Sequence, residues 1–261
     1  MNSNRPLFSL LHPTARPDGW RGAMNVWHER CDNPSQVEYV FCVDKGRDQE
    51  AWSRQGDWAF GLWQKWHPFK FTVNEGRRCA VDAWNEAAKA STGWLLITVA
   101  DDYRPPEHWD MQLTEIISGP IDVDAPTKQT YPLVTREFVL DVDNGDGSDW
   151  LLPFSFISRA YYERLGCLFW PEYFGLGADN DFTERARRDD VVINARHIKF
   201  SHPQLPAYDP IYQWQHRVEA EEAYRRVFSK REAQGFPYGP EVVAAAIAQM
   251  RVTAGRAEVL A

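Results

Sequence analysis

Two adjacent carboxylates, Asp101 and Asp102, follow directly on an almost wholly apolar run, residues 94–99. Such a run, with β-branched residues near its end, reads as a buried central strand. Pro105 and Pro106 forbid its continuation and suit the first turn of a helix. Open α/β sheets bind ligands at the carboxyl ends of their strands, and hard cations take oxygen ligands. The pair therefore has the chemistry to hold Mg2+ or Mn2+ on a nucleotide diphosphate. The same acids equally suit a solvated turn or a helix cap, so this stretch alone leaves both readings open.

Other groups suited to chemistry are spread along the chain. The apolar run 7–11 leads into the Pro-bounded loop His12-Pro13-Thr14-Ala15-Arg16-Pro17, where Thr14 and the forked donors of Arg16 could meet a nucleotide. A second strand, residues 37–43, ends at Asp44, and an acid there is a common partner for ribose or base. Asp179, Asn180 and Asp181 open a helix and are first of all capping residues. His202 lies just past a short strand, in a place more often held by a turn histidine than by a ligand. The acidic loop 143–149 resembles a calcium loop but lacks the Glu and flanking helices of an EF-hand.

These residues need elements to position them. Residues 69–73 read as a third strand. Residues 77–91 read as a helix, with Ala80, Ala83, Trp84 and Ala87 on one face and Asn85 beside it. Helices are expected over 24–30, 106–118 and 159–165, the last capped by Ser158 and stopped by Gly166. Extended segments fall at 132–142, 153–158, 191–195 and 198–200. A long helix over 212–234 carries a basic end, Arg225, Arg226, Lys230 and Arg231, that reads as a solvated face. A last helix begins at Pro240 with Val243, Ile247 and Met250 inward, and the final ten residues read as frayed. Trp52, Trp58, Trp63 and Trp66 fall in an irregular or partly helical connection.

Composition sets the class. The 261 residues are 44% hydrophobic, enough for one large α/β domain or two small ones. The net charge of −8 gives no overall attraction to nucleic acid, although a local basic patch could still bind it. None of the four cysteines forms a CxxC pair, which argues against a zinc knuckle or redox motif and fits a reducing compartment. No apolar run approaches the roughly 20 residues of a membrane span, and the first residues lack a signal-peptide core. The expectation is a soluble, cytoplasmic protein.

In order along the chain, four segments resemble glycosyltransferase family 2, whose fold is GT-A. Residues 10–17 look like its opening strand and loop, and residues 40–46 like its second strand with a nucleotide-facing acid. Residues 83–96 look like its Ala-Arg-Asn helix and the approach to the metal strand. Ala100-Asp101-Asp102 stands where Asp-x-Asp belongs. A looser fifth match is Gly177-Ala178-Asp179-Asn180-Asp181-Phe182-Thr183-Glu184-Arg185, like the family's Glu-Asp-x-Asp-Leu-x-x-Arg. Together they span roughly residues 7–202. Ala100 and Ala178 each replace an acid of the family pattern.

The resemblance implies a mixed GT-A (Rossmann-like) α/β sheet flanked by helices over 1–210, with C-terminal helices over 211–261 packed on the same domain. It implies a metal-dependent, inverting transfer of sugar from a nucleoside-diphosphate sugar, UDP by default, to a hydroxyl acceptor. Asp102 and His202 would hold Mn2+ or Mg2+, and Asp179 would be the catalytic base. Pro13, Thr14, Arg16, Asp44, Asn85 and Asp101 would line the nucleotide site. A glycan, a protein hydroxyl or a hydroxymethylated DNA base remains open as acceptor. The two missing acids keep alive a GT-A-like binding module without catalysis, and nucleotidyl transfer is a third reading.

Overall fold

The computed structural model describes residues 5–15, 20–46, 50, 68–118, 135–145, 149–202, 213 and 217–259. Arg16 and the four tryptophans at 52, 58, 63 and 66 lie outside the described residues. The expected mixed α/β architecture is present. Among the described residues the strands form one seven-stranded sheet in the order β3-β2-β1-β4-β6-β5-β7. The strands are β1 (Phe8–Thr14), β2 (Val37–Asp44), β3 (Phe69–Asn74), β4 (Leu95–Thr98), β5 (Val139–Asp143), β6 (Phe156–Ser158) and β7 (Val192–Lys199). β6 runs antiparallel to both neighbours and the other pairs are parallel. The carboxyl ends of β1, β2, β3, β4, β5 and β7 therefore share one edge.

Helices cover both faces. On one face α1 (Trp20–Glu29) and α3 (Trp109–Ser118) close a core that includes Trp20, Trp27, Tyr39, Phe41, Ile97 and Trp109. On the other, α2 (Ala80–Ala90), α4 (Arg159–Leu165) and α5 (Ala178–Arg188) bury Val40, Leu96, Ile157, Phe169 and Phe182. The C-terminal helices α6 (Val218–Ala233) and α7 (Pro240–Val259) pack Tyr224, Phe228 and Val243 against this second core. No helix among the described residues is long and apolar enough to cross a membrane.

Several expectations shift. β1 does not stop at Leu11 but continues through His12, Pro13 and Thr14, pairing Pro13 with Cys42. Val99 donates to the Leu11 carbonyl, and strand alternation turns Pro13 to that same side, past the end of β4. Its missing N–H thus costs no ladder bond. α3 begins at Trp109, after both prolines, and Val192–Lys199 is one strand where two were expected. α7 stays helical to Val259 where fraying was expected. α4 matches expectation: Ser158 Oγ accepts from the Tyr161 amide at 3.2 Å, and Gly166 takes a left-handed φ of 79°.

The amino-terminal edge of the sheet is closed by a buried carboxylate. Glu38 on β2 accepts from Ser9, from Lys70 at 2.8 Å, and from Thr92 Oγ1 and the Gly93 amide at 2.8 Å each. Gly93 must be glycine, because a Cβ there would lie 2.8 Å from the Phe8 carbonyl carbon. Burial alone would raise the Glu38 carboxyl, but Lys70 and the other donors outweigh it and hold the group below its ordinary value. The unfolded chain then takes up the proton first as the pH falls. Glu38 should contribute stability that is complete above its ordinary value and lost as the pH drops through the lower folded one. Urea midpoints for Glu38→Gln should be lower than wild type at neutral pH and should converge with it as the pH falls through the lowered folded-state value. An unchanged gap across that range would refute the assignment.

Candidate active site

Asp101 and Asp102 stand just past β4, at the shared carboxyl edge. Asp101 is held by β1: His12 Nε2 lies 2.9 Å from its Oδ1, and Thr14 Oγ1 donates to its Oδ2 at 2.9 Å. His12 Nδ1 bonds the Tyr39 hydroxyl on β2. Burial, and then the Asp101 charge, push that phenol well above its ordinary range. The continuation of β1 through Thr14 is what brings both His12 and Thr14 onto the carboxylate. Sequence reading singled out Thr14 but missed His12, whose buried place in a strand is hidden by the proline beside it.

Asp102 meets His202. Its Oδ1 is 3.4 Å from His202 Nε2, with the two side chains 12% and 32% exposed, so the pair is open to a ligand. One hundred residues separate them in the chain, and a backbone bridge between Arg104 and Ser201 brings them together. The Arg104 amide donates to the Ser201 carbonyl at 2.8 Å, and the Ser201 amide returns a bond to Arg104 at 2.9 Å. An aromatic pile supports this bridge from below. Tyr103 stacks on Phe154 at 3.8 Å between ring centroids, and the His202 ring stands edge-on to Phe154 at 5.1 Å. Arg104 also donates from Nη1 to the Asp101 carbonyl at 2.6 Å, tightening the turn that carries both acids.

Asp44 lies two strands away on the same edge. Asn74 of β3 donates to its Oδ1 at 2.6 Å, and Arg78 Nε is 4.0 Å from its Oδ2. Asn85 is buried in the middle of α2 and uses its amide on backbone. Its Oδ1 accepts from the Leu168 and Phe169 amides at 2.9 and 3.0 Å, and its Nδ2 donates to the Phe169 carbonyl at 2.8 Å. The Asn85 side-chain amide is thus spent on the backbone of residues 168 and 169. Pro13 is half-buried at the end of β1.

Asn85 and Arg77 together guide the chain toward α5. From Asn85 the 168–173 segment runs along α2 to Arg77, whose Nη2 donates to the carbonyls of Pro171 and Tyr173 at 2.5 and 2.9 Å. Arg77 follows β3, so this segment arrives at the carboxyl edge of the sheet, and α5 begins from there with Asp179 in its first turn. A second tether comes from the strand side. Thr183 Oγ1 donates to the Asp179 carbonyl at 2.7 Å and accepts from the Leu152 amide at 3.0 Å. Leu152 is two residues from Phe154, which touches His202. Asp179 is thus fixed through backbone to the segment that supports the Asp102–His202 pair.

Asp181, whose place at a helix start reads as a cap, is fully buried. Arg231 of α6 donates to it from Nε at 2.8 Å, both side chains at zero exposure, so the solvated face expected for this arginine is corrected. Tyr238 and Tyr173 donate to the same carboxylate at 2.6 and 3.2 Å, and the guanidinium lies 3.6 Å over the Trp170 ring. Burial, and then the Asp181 charge, raise both phenols far above their ordinary range.

A divalent cation fits this site as a partner of two side chains. Among the described residues no three His, Cys, Asp or Glu side chains converge to form a closed protein cage. Asp102 and His202 supply one carboxylate oxygen and one imidazole nitrogen, a set that suits Mn2+ better than Mg2+, which takes oxygen, when a ligand's oxygens complete the shell.

This sheet order, with paired acids after the fourth strand, has the GT-A fold. No protein-family model and no curated protein sequence matches the chain, but solved structures do. It is similar to GalNAc-T7, solved with UDP, GalNAc and Mn2+, at TM-score 0.59 and 16% identity over 91% of this chain and 53% of that one. It is similar to the mannosyltransferase PcManGT from Pyrobaculum calidifontis, solved with GDP-Man and Mn2+, at TM-score 0.54 and 16% identity over 97% and 81%. It is also similar to S. aureus TarS, at TM-score 0.53 and 15% identity, where it spans 74% of its own length and 36% of the TarS chain. At such identities the likeness establishes the fold.

Proposed function

We propose that the chain is a metal-dependent, inverting glycosyltransferase that moves a sugar from a UDP- or GDP-sugar to a hydroxyl acceptor. The observation that carries the reading is the meeting of Asp102 and His202, brought from two strands to one open point at the carboxyl edge of a GT-A sheet. The neighbours solved with UDP or GDP-Man and Mn2+ support it by fold. Asp102 and His202 would hold the cation, which when bound supplies a Lewis acid for the charge developing on the leaving diphosphate. Asp101, kept in place by His12 and Thr14, would orient the ribose, and Asp44 would face the base. Asp179 would take the proton of the attacking hydroxyl. A single displacement would invert the anomeric centre.

Release of UDP from UDP-GlcNAc, or of GDP from GDP-mannose, in the presence of Mn2+ tests the reading. His202→Ala should raise the Mn2+ needed for half-maximal turnover by more than the roughly 10- to 100-fold that loss of an outer-shell partner costs. Turnover by wild type that is indifferent to Mn2+ and to this substitution would overturn the assignment. Binding of both donors without turnover would favour the non-catalytic module instead.

A further inference from the structure

The two C-terminal helices could be a mere cover for the second core, but α6 touches the first turn of α5 in a more specific way. Tyr224 and Arg231 are seven residues apart, two helical turns, and so share one face of α6. Arg231 holds Asp181 through the buried pair described above. Tyr224 lies against Gly177, the cap residue of α5, so closely that a Cβ at Gly177 would clash with Cδ2 and Cε2 of the Tyr224 ring. Gly177 also has a φ of 78°, which favours glycine. The two contacts bracket Asp179, one on each side of it in sequence. The Tyr224 phenol is raised by burial and then by the charge of Asp179. Lys230 adds an outer tie at 2.8 Å to Glu172, in the segment that leads into α5.

We infer that α6 is a working part of the site, and that Tyr224 and Arg231 are positioning residues that fix Asp179 by gripping Gly177 and Asp181 on either side of it. The inference rests on the reading of Asp179 as the base. The C-terminal helices thereby act on the rate, holding the proton acceptor where the attacking hydroxyl arrives without touching the nucleotide sugar.

Tyr224 is half-buried against the second core, and leucine keeps an apolar side chain there, so Tyr224→Leu is the variant expected to keep its fold. With UDP-GlcNAc or GDP-mannose and Mn2+, whichever wild type turns over, Tyr224→Leu and Gly177→Ala should lower kcat by about 10- to 100-fold with donor KM little changed. Tyr224→Phe keeps the ring and should stay near wild type. In an Asp179→Asn background, Tyr224→Leu should cost nothing further, because it acts through the group already removed. Amide exchange over residues 178–182 should rise in Tyr224→Leu while that of β1 and β2 stays as in wild type. Wild-type kcat for Tyr224→Leu, or an equal further loss in the Asp179→Asn background, would overturn the inference while leaving the base reading intact. Full turnover by Asp179→Asn alone would remove the base reading and this inference with it.

Discussion

Asp179→Asn should lower turnover by about 10²- to 10⁴-fold, the usual worth of a general base, with donor KM near its wild-type value. An amide of nearly the same size keeps the first turn of α5, since the Thr183 bond goes to the backbone carbonyl of residue 179 and not to its side chain. What is lost is the capacity to accept a proton. The proposed donor site, assigned to β1, β2 and the turn after β4, is untouched, so binding of UDP-GlcNAc or GDP-mannose should be preserved in calorimetry. Retention of full turnover would move the base elsewhere. A parallel loss of donor binding would show that the residue belongs to the nucleotide site instead.

Arg231→Met should destabilise the protein by about 3–5 kcal/mol, the range for removing one partner of a buried ion pair. The guanidinium satisfies Asp181 and also donates from Nη1 to the Pro237 carbonyl at 2.6 Å. After substitution, among the described residues, Asp181 keeps the Tyr173 and Tyr238 hydroxyls as side-chain partners for a fully buried carboxylate. Methionine fills much of the volume, so the loss comes from the stranded carboxylate more than from a cavity. Arg231→Lys should recover only part of the loss, because an ammonium cannot form the fork or lie flat over Trp170. Urea unfolding measures both. A cost for Arg231→Met below about 1 kcal/mol would place the pair among surface-type bridges and refute its structural role.

The sequence was informative where physics is local. The apolar run before Asp101 reads as a buried strand because a strand covered on both faces has no polar side to show. Ser158 and Gly166 mark both ends of α4 because capping and left-handed termination depend on neighbouring residues alone. Long-range pairings were invisible for the opposite reason. Asp181 and Arg231 are fifty residues apart, and an arginine in a charge-rich helix has the composition of a solvated face until the partner is known. The Arg104–Ser201 bridge is made of backbone and leaves no side-chain signature at all. His12 reads as a loop residue because Pro13 suggests the end of the strand, whereas the end of β4 leaves that side of β1 open to a proline. Asn85 drew notice as a polar residue beside an apolar face, and its amide serves the path of the chain toward α5.

A cation-bridged diphosphate at the meeting of Asp102 and His202 is the claim on which the proposed chemistry depends. The most direct measurement is an anomalous difference map from crystals grown with UDP and Mn2+. The expected result is a manganese peak bonded to the Asp102 carboxylate and the His202 imidazole, with the UDP diphosphate on its other side and the ribose beside Asp101. Manganese bound away from both residues, or UDP seated at another edge of the sheet, would contradict it.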